Sequence, residues 1–332
     1  MRRAIRSLAA AATALVLAAG LASCGGSDDA DTTTSASGAA DTFPVSVAHK
    51  YGTTTITKEP KRIVVVGLVE QDALLSLGIV PVATTEWFGG YKGAIWPWAQ
   101  DELGDRTPPT VLTNNDGLQF EKIAAQKPDL ILGVYSGLTK EDYDKLSKFA
   151  PVVAQPKGGI DYGVSWQQLT TMVGTAVGRK ADAEKVIKDV EGTITKAKTD
   201  NPGFAGKSVV VAAAFSGQYG AYTRGDGRVQ FMEALGFQNS QQIEDLKPAN
   251  FYAEVSKEKV GLLDADLTVI FALGAGAELK KDTVLNSIPS AKAGRLLIVD
   301  DADLVNGFST NSVLSTPYVI STFVPLVQAA LA

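Results

Sequence analysis

One long stretch of helical pattern, residues 166–198, constrains the fold of this chain more than any other feature. Its apolar residues recur at spacings of three and four, with Lys180 as the one interruption, which puts them on one face of a helix. They are Trp166, Leu169, Val173, Ala176, Ala183, Ile187, Val190, Ile194 and Ala197. The pattern fits one helix or two helices that meet at Gly178, and the part after Lys180 alone would span about 28 Å at about 1.5 Å per residue. The stretch therefore predicts a helix as long as a domain is wide.

Similar sequence lies on both sides of this stretch. Residues 121–130 (EKIAAQKPDL) align with residues 258–267 (EKVGLLDADL), and an apolar run follows each copy. A second pair is Leu-Gly-Ile at 77–79 and Leu-Gly-Phe at 235–237. Coincidence is the alternative, because a helix followed by Asp-Leu and a strand is common in α/β proteins. We predict an α/β fold of two lobes joined by a helix, with an N-terminal lobe at 43–165, the connecting helix at 166–200 and a C-terminal lobe at 201–332.

The N-terminus has the pattern of a secretion signal. Three arginines precede an apolar run at residues 8–19, which is too short for an ordinary membrane span. Shortly after the run comes Leu-Ala-Ser-Cys24, which resembles the lipobox of bacterial lipoproteins, in which the cysteine is lipidated. Cys24 is the only cysteine, so a disulfide within one chain is excluded. We predict a signal peptide at 1–23 and a lipidated, flexible tether at 24–42, rich in Gly, Ser, Thr, Ala and Asp.

Charge and histidine content exclude several functions. Removal of residues 1–23, with three arginines and no acids, changes the formal net charge from −5 to −8, which disfavours nucleic acid as a partner. His49 is the only histidine, so an HExxH zinc site is excluded and a Ser-His-Asp triad is disfavoured. We predict a structural or solvent role for His49, no catalytic residues, and no cofactor or resident metal site.

Aromatic residues follow the predicted strands of both lobes. Five of them lie within twelve residues after a predicted strand at 80–83, interleaved with glycines, and Tyr135 follows the predicted strand at 130–132. The five are Trp87, Phe88, Tyr91, Trp96 and Trp98. In the second lobe, Tyr222 follows a predicted strand at 209–214, and Phe308 falls in a predicted late loop. Open α/β sheets bind ligands where strands end, although each ring could instead pin its loop to its own lobe.

Several segments together resemble the substrate-binding lipoproteins of iron-siderophore ABC importers, a class III periplasmic-binding-protein family that includes ferrichrome- and cobalamin-binding proteins. They are residues 61–66 (KRIVVV), 77–78 (LG), 121–130, 143–151 (YDKLSKFAP), 176–179 (AVGR), 222–237 and 255–260. The resemblance covers nearly the whole mature chain. It implies two Rossmann-like lobes bridged by one long helix, with the ligand in the cleft between them. It also implies a monomeric bacterial receptor, not an enzyme, lipid-anchored on the outer face of the cytoplasmic membrane, that delivers a ferric siderophore to a permease with a cytoplasmic ATPase.

A ferric siderophore is large, with polar iron-chelating groups and apolar arms, and aromatic faces and an arginine suit it. The expected ligand-binding residues are Trp87, Tyr91, Tyr135, Tyr222, Arg224 and Phe308. Arg224 is the first choice for the chelating oxygens, ahead of Arg106 and Arg228, although Arg224-Gly-Asp226-Gly-Arg228 could instead form a local ion pair that caps a helix.

The kind of ligand stays open at this point. Related hydroxamate binders have an arginine near the position of Asn115, so the type of siderophore is undetermined. Cobalamin or haem is the alternative ligand within the family. An anchored enzyme that uses Asp264 and Asp266 as paired carboxylates is the alternative from another class.

Glu121 and Glu258 occupy the same place in the two repeats, each at the start of a predicted helix. A carboxylate there is favoured by the helix dipole, so capping is the simple explanation. The resemblance implies a second role, because the matching glutamates of cobalamin-type binders meet arginines on the two permease subunits. We therefore predict that this pair docks the receptor on its permease.

Overall fold

The computed structural model describes residues 41–113, 117–215, 218–249, 251–272 and 274–332. The predicted signal peptide, Cys24, nearly all of the tether, and Asn115 lie outside these residues. Within them, no helix combines the length and apolar character that a membrane span requires.

The first lobe is a parallel five-stranded sheet with helices on both faces and a separate antiparallel hairpin, β1–β2. The sheet order is β5-β4-β3-β6-β7. The strands are β1 (Val45–His49), β2 (Gly52–Ile56), β3 (Ile63–Val65), β4 (Ala83–Thr85), β5 (Thr110–Leu112), β6 (Leu130–Gly133) and β7 (Val152–Ala154). The helices are α1 (Glu70–Ser76), α2 (Gln100–Leu103), α3 (Phe120–Ala125), α4 (Lys140–Leu146) and α5 (Trp166–Ala176), with 3-10 turns at Lys92–Ala94 and Pro97–Ala99.

The second lobe has a larger, mixed sheet in the order β11-β9-β8-β12-β13, with β10 paired to β8. Strands β9 and β11 are antiparallel to their neighbours. The strands are β8 (Ser208–Phe215), β9 (Gln218–Tyr222), β10 (Gln238–Asn239), β11 (Tyr252–Val255), β12 (Leu267–Phe271) and β13 (Leu296–Val299). The helices are α6 (Lys180–Asp200), α7 (Gly227–Ala234), α8 (Gln241–Glu244), α9 (Gly276–Leu279), α10 (Pro289–Lys292), α11 (Ala302–Thr310) and α12 (Ser315–Leu331), with 3-10 helices at Pro202–Phe204, Lys257–Leu263 and Leu285–Ser287.

The central strands carry unbroken apolar runs because both of their faces are buried. In the first lobe, Ile63 and Val65 pack into one core and Val64 packs into the core on the opposite face. Val209 and Val210 divide in the same way between the two cores of the second lobe. The α/β fold with two lobes is confirmed.

The repeat seen in the sequence is present in the structure. Asp129 precedes β6 and accepts hydrogen bonds from the backbone N–H groups of Lys61 (2.9 Å) and Arg62 (2.8 Å), just before β3. Asp266 precedes β12 and accepts one from the backbone N–H of Ser208 at 2.8 Å, at the start of β8. Strand β6 pairs in parallel with β3, and β12 pairs in parallel with β8. Each aspartate therefore joins the start of one central strand to the start of its parallel neighbour, at the same place in the two lobes.

The long helical stretch is two helices, α5 and α6, separated at Gly178. Gly178 has a φ of 69°, and a Cβ there would lie 2.7 Å from the ring of Phe43, so a side chain would be both strained and blocked. Helix α5 packs into the core of the first lobe. Helix α6 has 21 residues, about 31 Å at about 1.5 Å per residue, and Ala197 near its end packs into the core of the second lobe. The crossing between the lobes is therefore made by α6.

Two other sequence predictions differ from the structure. The strand predicted at 80–83 begins only at Ala83. Pro81, two residues earlier, has no backbone N–H to donate to a neighbouring strand. Phe308 lies in helix α11, not in a loop, because Asp301 caps that helix through the backbone N–H of Leu304 at 2.8 Å.

His49 is buried in the hairpin, with its Nε2 2.9 Å from the Thr54 hydroxyl, which is a structural role.

Candidate functional site

A cavity of about 510 Å³ lies between the two lobes. The first lobe contributes Leu68, Trp87, Tyr135 and the segment from Ile160 to Ser165. The second lobe contributes Gly225, Asp226, Gly227, Arg228, Gln230, Phe251, Phe308, Ser309 and Asn311. Apolar and aromatic walls with a few polar groups are typical of a site for a sizeable ligand.

Three loops that follow the parallel strands β3, β4 and β6 form one part of the wall in the first lobe. Leu68 follows β3, Trp87 follows β4 and Tyr135 follows β6, so the carboxyl ends of neighbouring strands bring them together. The rings of Trp87 and Tyr135 have centroids 5.9 Å apart. The Tyr135 hydroxyl is protonated at neutral pH, as in an ordinary tyrosine, and can donate a hydrogen bond; burial raises its pKa further, to about 12.

Glu70 holds this wall together from inside the lobe. Its buried carboxylate accepts hydrogen bonds from the backbone N–H groups of Val69 (3.1 Å) and Tyr135 (2.8 Å), which joins the turn after β3 to the end of β6. Burial raises the pKa of Glu70, and the backbone donors oppose that rise. A Cβ on Gly67 would lie 2.0 Å from this carboxylate, so glycine is required there for the close approach.

The loop between β7 and α5 forms the part of the wall that the sequence reasoning missed. Ile160 and Tyr162 line the cavity and are 62% and 46% exposed. Tyr162 packs edge-on to Tyr135, with ring centroids 5.8 Å apart. Asp161 also lines the cavity and is bonded to the ammonium group of Lys50 at 2.8 Å. The signal was available, because this glycine-rich loop also follows a strand of the sheet.

Arg228 is the one arginine among the described lining residues, and it lies in α7. Asp226 caps that helix by accepting the backbone N–H of Arg228 at 2.8 Å, and it also pairs with the guanidinium at 2.8 Å. The guanidinium lies over the Tyr222 ring, 4.4 Å from its centroid, and donates to the Ser309 hydroxyl at 3.2 Å. Burial raises the pKa of Asp226, while the positive charge of Arg228 opposes the rise.

Phe308 closes the floor of the cavity. It is 4% exposed and lies within an aromatic cluster, with ring centroids 5.1 Å from Phe231, 5.0 Å from Phe271 and 4.8 Å from Phe323. Such a cluster fixes the position of the ring, so the floor is rigid and apolar.

The structure thus places three of the six expected ligand-binding residues on the cavity wall, namely Trp87, Tyr135 and Phe308. Tyr222 lies beneath Arg228 and does not itself line the cavity. The Tyr91 hydroxyl donates to the carboxylate of Asp303, a bond that joins the two lobes.

The two other arginines considered from the sequence point elsewhere. Arg224 is 49% exposed and pairs with Glu233 at 2.7 Å outside the cavity lining. Arg106 donates to the backbone carbonyls of Leu103 at 2.9 Å and Gly78 at 2.7 Å, so it has a structural role in the first lobe.

Four acidic residues considered from the sequence form two pairs with different surroundings. Glu121 and Glu258 are both exposed, in the first turn of α3 and of the 3-10 helix Lys257–Leu263. Asp264 accepts the backbone N–H of Ser290 at 2.7 Å, and Asp266 is bonded to Ser208, which lowers the pKa of Asp266. The two aspartates therefore serve separate parts of the backbone and do not form a facing pair. Across the described part of the chain, no group of three or more His, Cys, Asp and Glu side chains is arranged to hold a metal ion.

Comparison with known proteins gives consistent matches over most of the chain. The model of the family "Periplasmic binding protein" matches residues 72–302. The probable siderophore-binding lipoprotein YfiY of Bacillus subtilis is 28% identical over 278 residues, which cover 77% of this chain and 80% of that protein. A periplasmic solute binding protein from Mycobacterium smegmatis superimposes with a TM-score of 0.77 at 31% identity, covering 87% of this chain and 99% of that one. The Streptococcus pneumoniae protein PiaA, solved in complex with ferrichrome, gives a TM-score of 0.74 at 28% identity, covering 86% of this chain and 98% of that one.

Proposed function

Because this chain belongs to the periplasmic binding protein family, we propose that it captures a ferric siderophore outside the cytoplasmic membrane and delivers it to the permease of an ABC importer. The observation that carries the proposal is the cavity of about 510 Å³ between the lobes, with aromatic residues on both walls and Arg228 among its lining residues. The siderophore-binding name of the Bacillus subtilis relative and the ferrichrome complex of PiaA support this kind of ligand.

The ligand contacts follow from the cavity lining. Trp87, Tyr135 and Phe308 offer flat apolar surfaces to the body of the chelate. Arg228 donates hydrogen bonds to the iron-chelating oxygens, and Tyr222 holds its guanidinium in place by stacking. Tyr91 contributes by keeping the two lobes at a fixed separation through Asp303.

Iron enters this site as cargo that is already chelated. Bare Fe³⁺ sites need clustered tyrosines, histidines or carboxylates. Within the described part of the chain, the cavity lining contains two tyrosines and two aspartates, and each aspartate is bonded to a cation. Haem is the alternative cargo. The single histidine, His49, is buried in the β1–β2 hairpin outside the cavity, so an axial ligand to haem would have to come from a tyrosine of the lining, Tyr135 or Tyr162.

The proposed cellular setting is a lipid anchor at Cys24 on the outer face of the membrane. The family consists of binding proteins, and the Bacillus subtilis relative is named a lipoprotein, which supports this setting for a chain with a lipobox-like sequence. The receptor acts as a monomer and carries out no chemistry on its ligand. The energy for uptake comes from the ATPase of the importer.

Titration of the mature chain tests the proposal. Tryptophan fluorescence is followed while ferrichrome, ferric enterobactin, ferric citrate, haem and cobalamin are each added to the purified protein. We expect saturable quenching with one chelate bound per chain for at least one ferric siderophore, because Trp87 lies on the cavity wall. Saturable binding of haem or cobalamin alone, or of none of the five, would overturn the proposal.

A further inference from the structure

The cavity holds few charges, and each of them already has a partner. Among the residues that the structure describes, the charged ones in its lining are Asp161, Asp226 and Arg228. Asp161 is bonded to Lys50, and Asp226 to Arg228, each at 2.8 Å. Lys50 itself is outside the lining. Among the described residues, the wall that faces the ligand therefore has two paired carboxylates and no unpaired cation.

The guanidinium of Arg228 is already paired with groups of the protein itself. One nitrogen of the guanidinium is bonded to Asp226, another donates to Ser309, and the flat face covers Tyr222. The side chains of Arg228 and Asp226 are only 17% and 7% exposed, so water screens this pair weakly. Arg228 can still donate hydrogen bonds to a ligand, but the pair as a whole offers no net positive charge.

The main types of ferric siderophore differ in net charge. A hydroxamate is a monoanion, so three of them neutralise Fe³⁺ and leave a neutral complex. A catecholate is a dianion, so a complex with three of them is multiply anionic, and citrate complexes keep ionised carboxylates. Moving an anion out of water into a cavity is costly unless free cations compensate for its lost hydration, and nearby carboxylates add repulsion.

From this charge arrangement, and resting on the function proposed above, we infer that the cavity selects ferric trihydroxamates, which are neutral or cationic, against the multiply anionic catecholate and citrate chelates. The walls suit such a ligand. Trp87, Tyr135, Tyr162, Ile160 and Phe251 bind its apolar surface, and the hydrogen-bond donors of Arg228 reach its hydroxamate oxygens without needing an anion.

Competition binding at one fixed ionic strength tests the selectivity. The probes are ferrichrome, a neutral trihydroxamate; ferrioxamine B, a trihydroxamate with a free ammonium group; and ferric enterobactin and ferric citrate as the anions. We expect both trihydroxamates to bind at least about tenfold more tightly than either anion, since like-charge contacts in an interface are strongly unfavourable. An anion that binds as tightly as ferrichrome would overturn the inference and leave the receptor function intact. Binding of no ferric chelate at all would overturn both.

A pair of matched variants tests the cause. Asp226→Asn keeps an oxygen that can cap α7 but removes the charge that neutralises Arg228. Relative to ferrichrome, we expect this variant to gain about tenfold or more in affinity for ferric enterobactin. The control is Glu233→Gln, which frees Arg224 in the same manner outside the cavity and should leave the ranking of chelates unchanged. If the Asp226→Asn protein folds and ranks the chelates as the original chain does, the role of this ion pair is contradicted. The selectivity itself is tested by the competition experiment on the original chain, without any substitution.

Discussion

Trp98 donates its indole N–H to the buried carboxylate of Asp72 at 2.8 Å, and the hydroxyl of Ser312 in the second lobe bonds to the same oxygen. Asp72 lies in α1 of the first lobe and Ser312 lies between α11 and α12, so a single carboxylate connects the lobes. Its other oxygen is buried and has no hydrogen-bond partner among the described residues. Burial accordingly raises the pKa of Asp72 to about 6.

This contact predicts a pH-dependent stability. The pKa of Asp72 is about 6 in the folded chain and near the ordinary 3.8 in the unfolded chain, so the folded chain binds this proton more tightly. Proton binding therefore stabilises the fold fully below pH 3.8, and this stabilisation is lost as the pH rises to about 6. The loss amounts to roughly 3 kcal/mol at about 1.4 kcal/mol per pKa unit. Asp72→Asn, which cannot ionise, should therefore gain free energy of unfolding relative to the original chain over this range. Denaturant titrations of both proteins measure the difference, and a pH-independent difference would contradict the assignment.

The two arginines near the start of α7 give a matched test of the cavity. Arg228→Ala removes the donors that face the ligand and leaves Asp226 buried and unpaired, so we expect ferric siderophore affinity to fall by about 1–3 kcal/mol. Arg224→Ala removes an exposed partner of Glu233 outside the cavity and should leave affinity unchanged. Isothermal titration calorimetry measures both. The placement of the ligand would be wrong if the Arg224 variant lost affinity and the Arg228 variant did not.

Much of the fold could be predicted from the sequence because buried parallel strands have a simple signature. The apolar runs at Ile63 and Val209 marked the central strands of both lobes, and the Asp-Leu pairs at 129–130 and 266–267 marked the strands beside them. The edge strands β5 and β11 have no such signature, since they are short and only partly buried. They are defined by their neighbours in the sheet, which a local pattern does not reveal.

The candidate site was less predictable, for two physical reasons. Arg224 and Arg228 are four residues apart, and which one faces the cavity depends on where Asp226 starts α7. Tyr91 was expected at the ligand but contacts Asp303, a residue more than two hundred positions away in the chain. Contacts between lobes depend on how the lobes pack together, and no periodicity along the chain encodes that packing.

Docking on the permease predicts a specific transport defect. Glu121 and Glu258 are exposed at equivalent places in the two lobes, as an electrostatic contact with a two-subunit permease requires. The double variant Glu121→Lys with Glu258→Lys should abolish uptake of iron by cells, while the purified protein binds its siderophore normally. The control is Glu141→Lys with Glu184→Lys, which makes the same change of charge at exposed acids of α4 and α6. Normal uptake by the first variant, or loss of ligand affinity in it, would rule out docking through this pair.

The lipid anchor predicts how the protein fractionates. Cys24 precedes the residues that the structure describes, and its role follows from its place directly after the apolar run. Cys24→Ala should release the receptor from the membrane into the soluble fraction, with ligand affinity unchanged. Cell fractionation with a salt wash checks this. A variant that stays with the membrane after the wash would show that another contact holds it there.

The position of the bound iron tests the central claim most directly. Crystals of the mature chain grown with a ferric siderophore give an anomalous signal from iron, which locates the metal without a model of the chelate. Our account predicts one iron peak in the cavity between the lobes, with Trp87 and Tyr135 on one side and Arg228 on the other. An iron peak in the smaller cavity of about 270 Å³ beside Tyr219 and Asp282, or on the surface of either lobe, would contradict it.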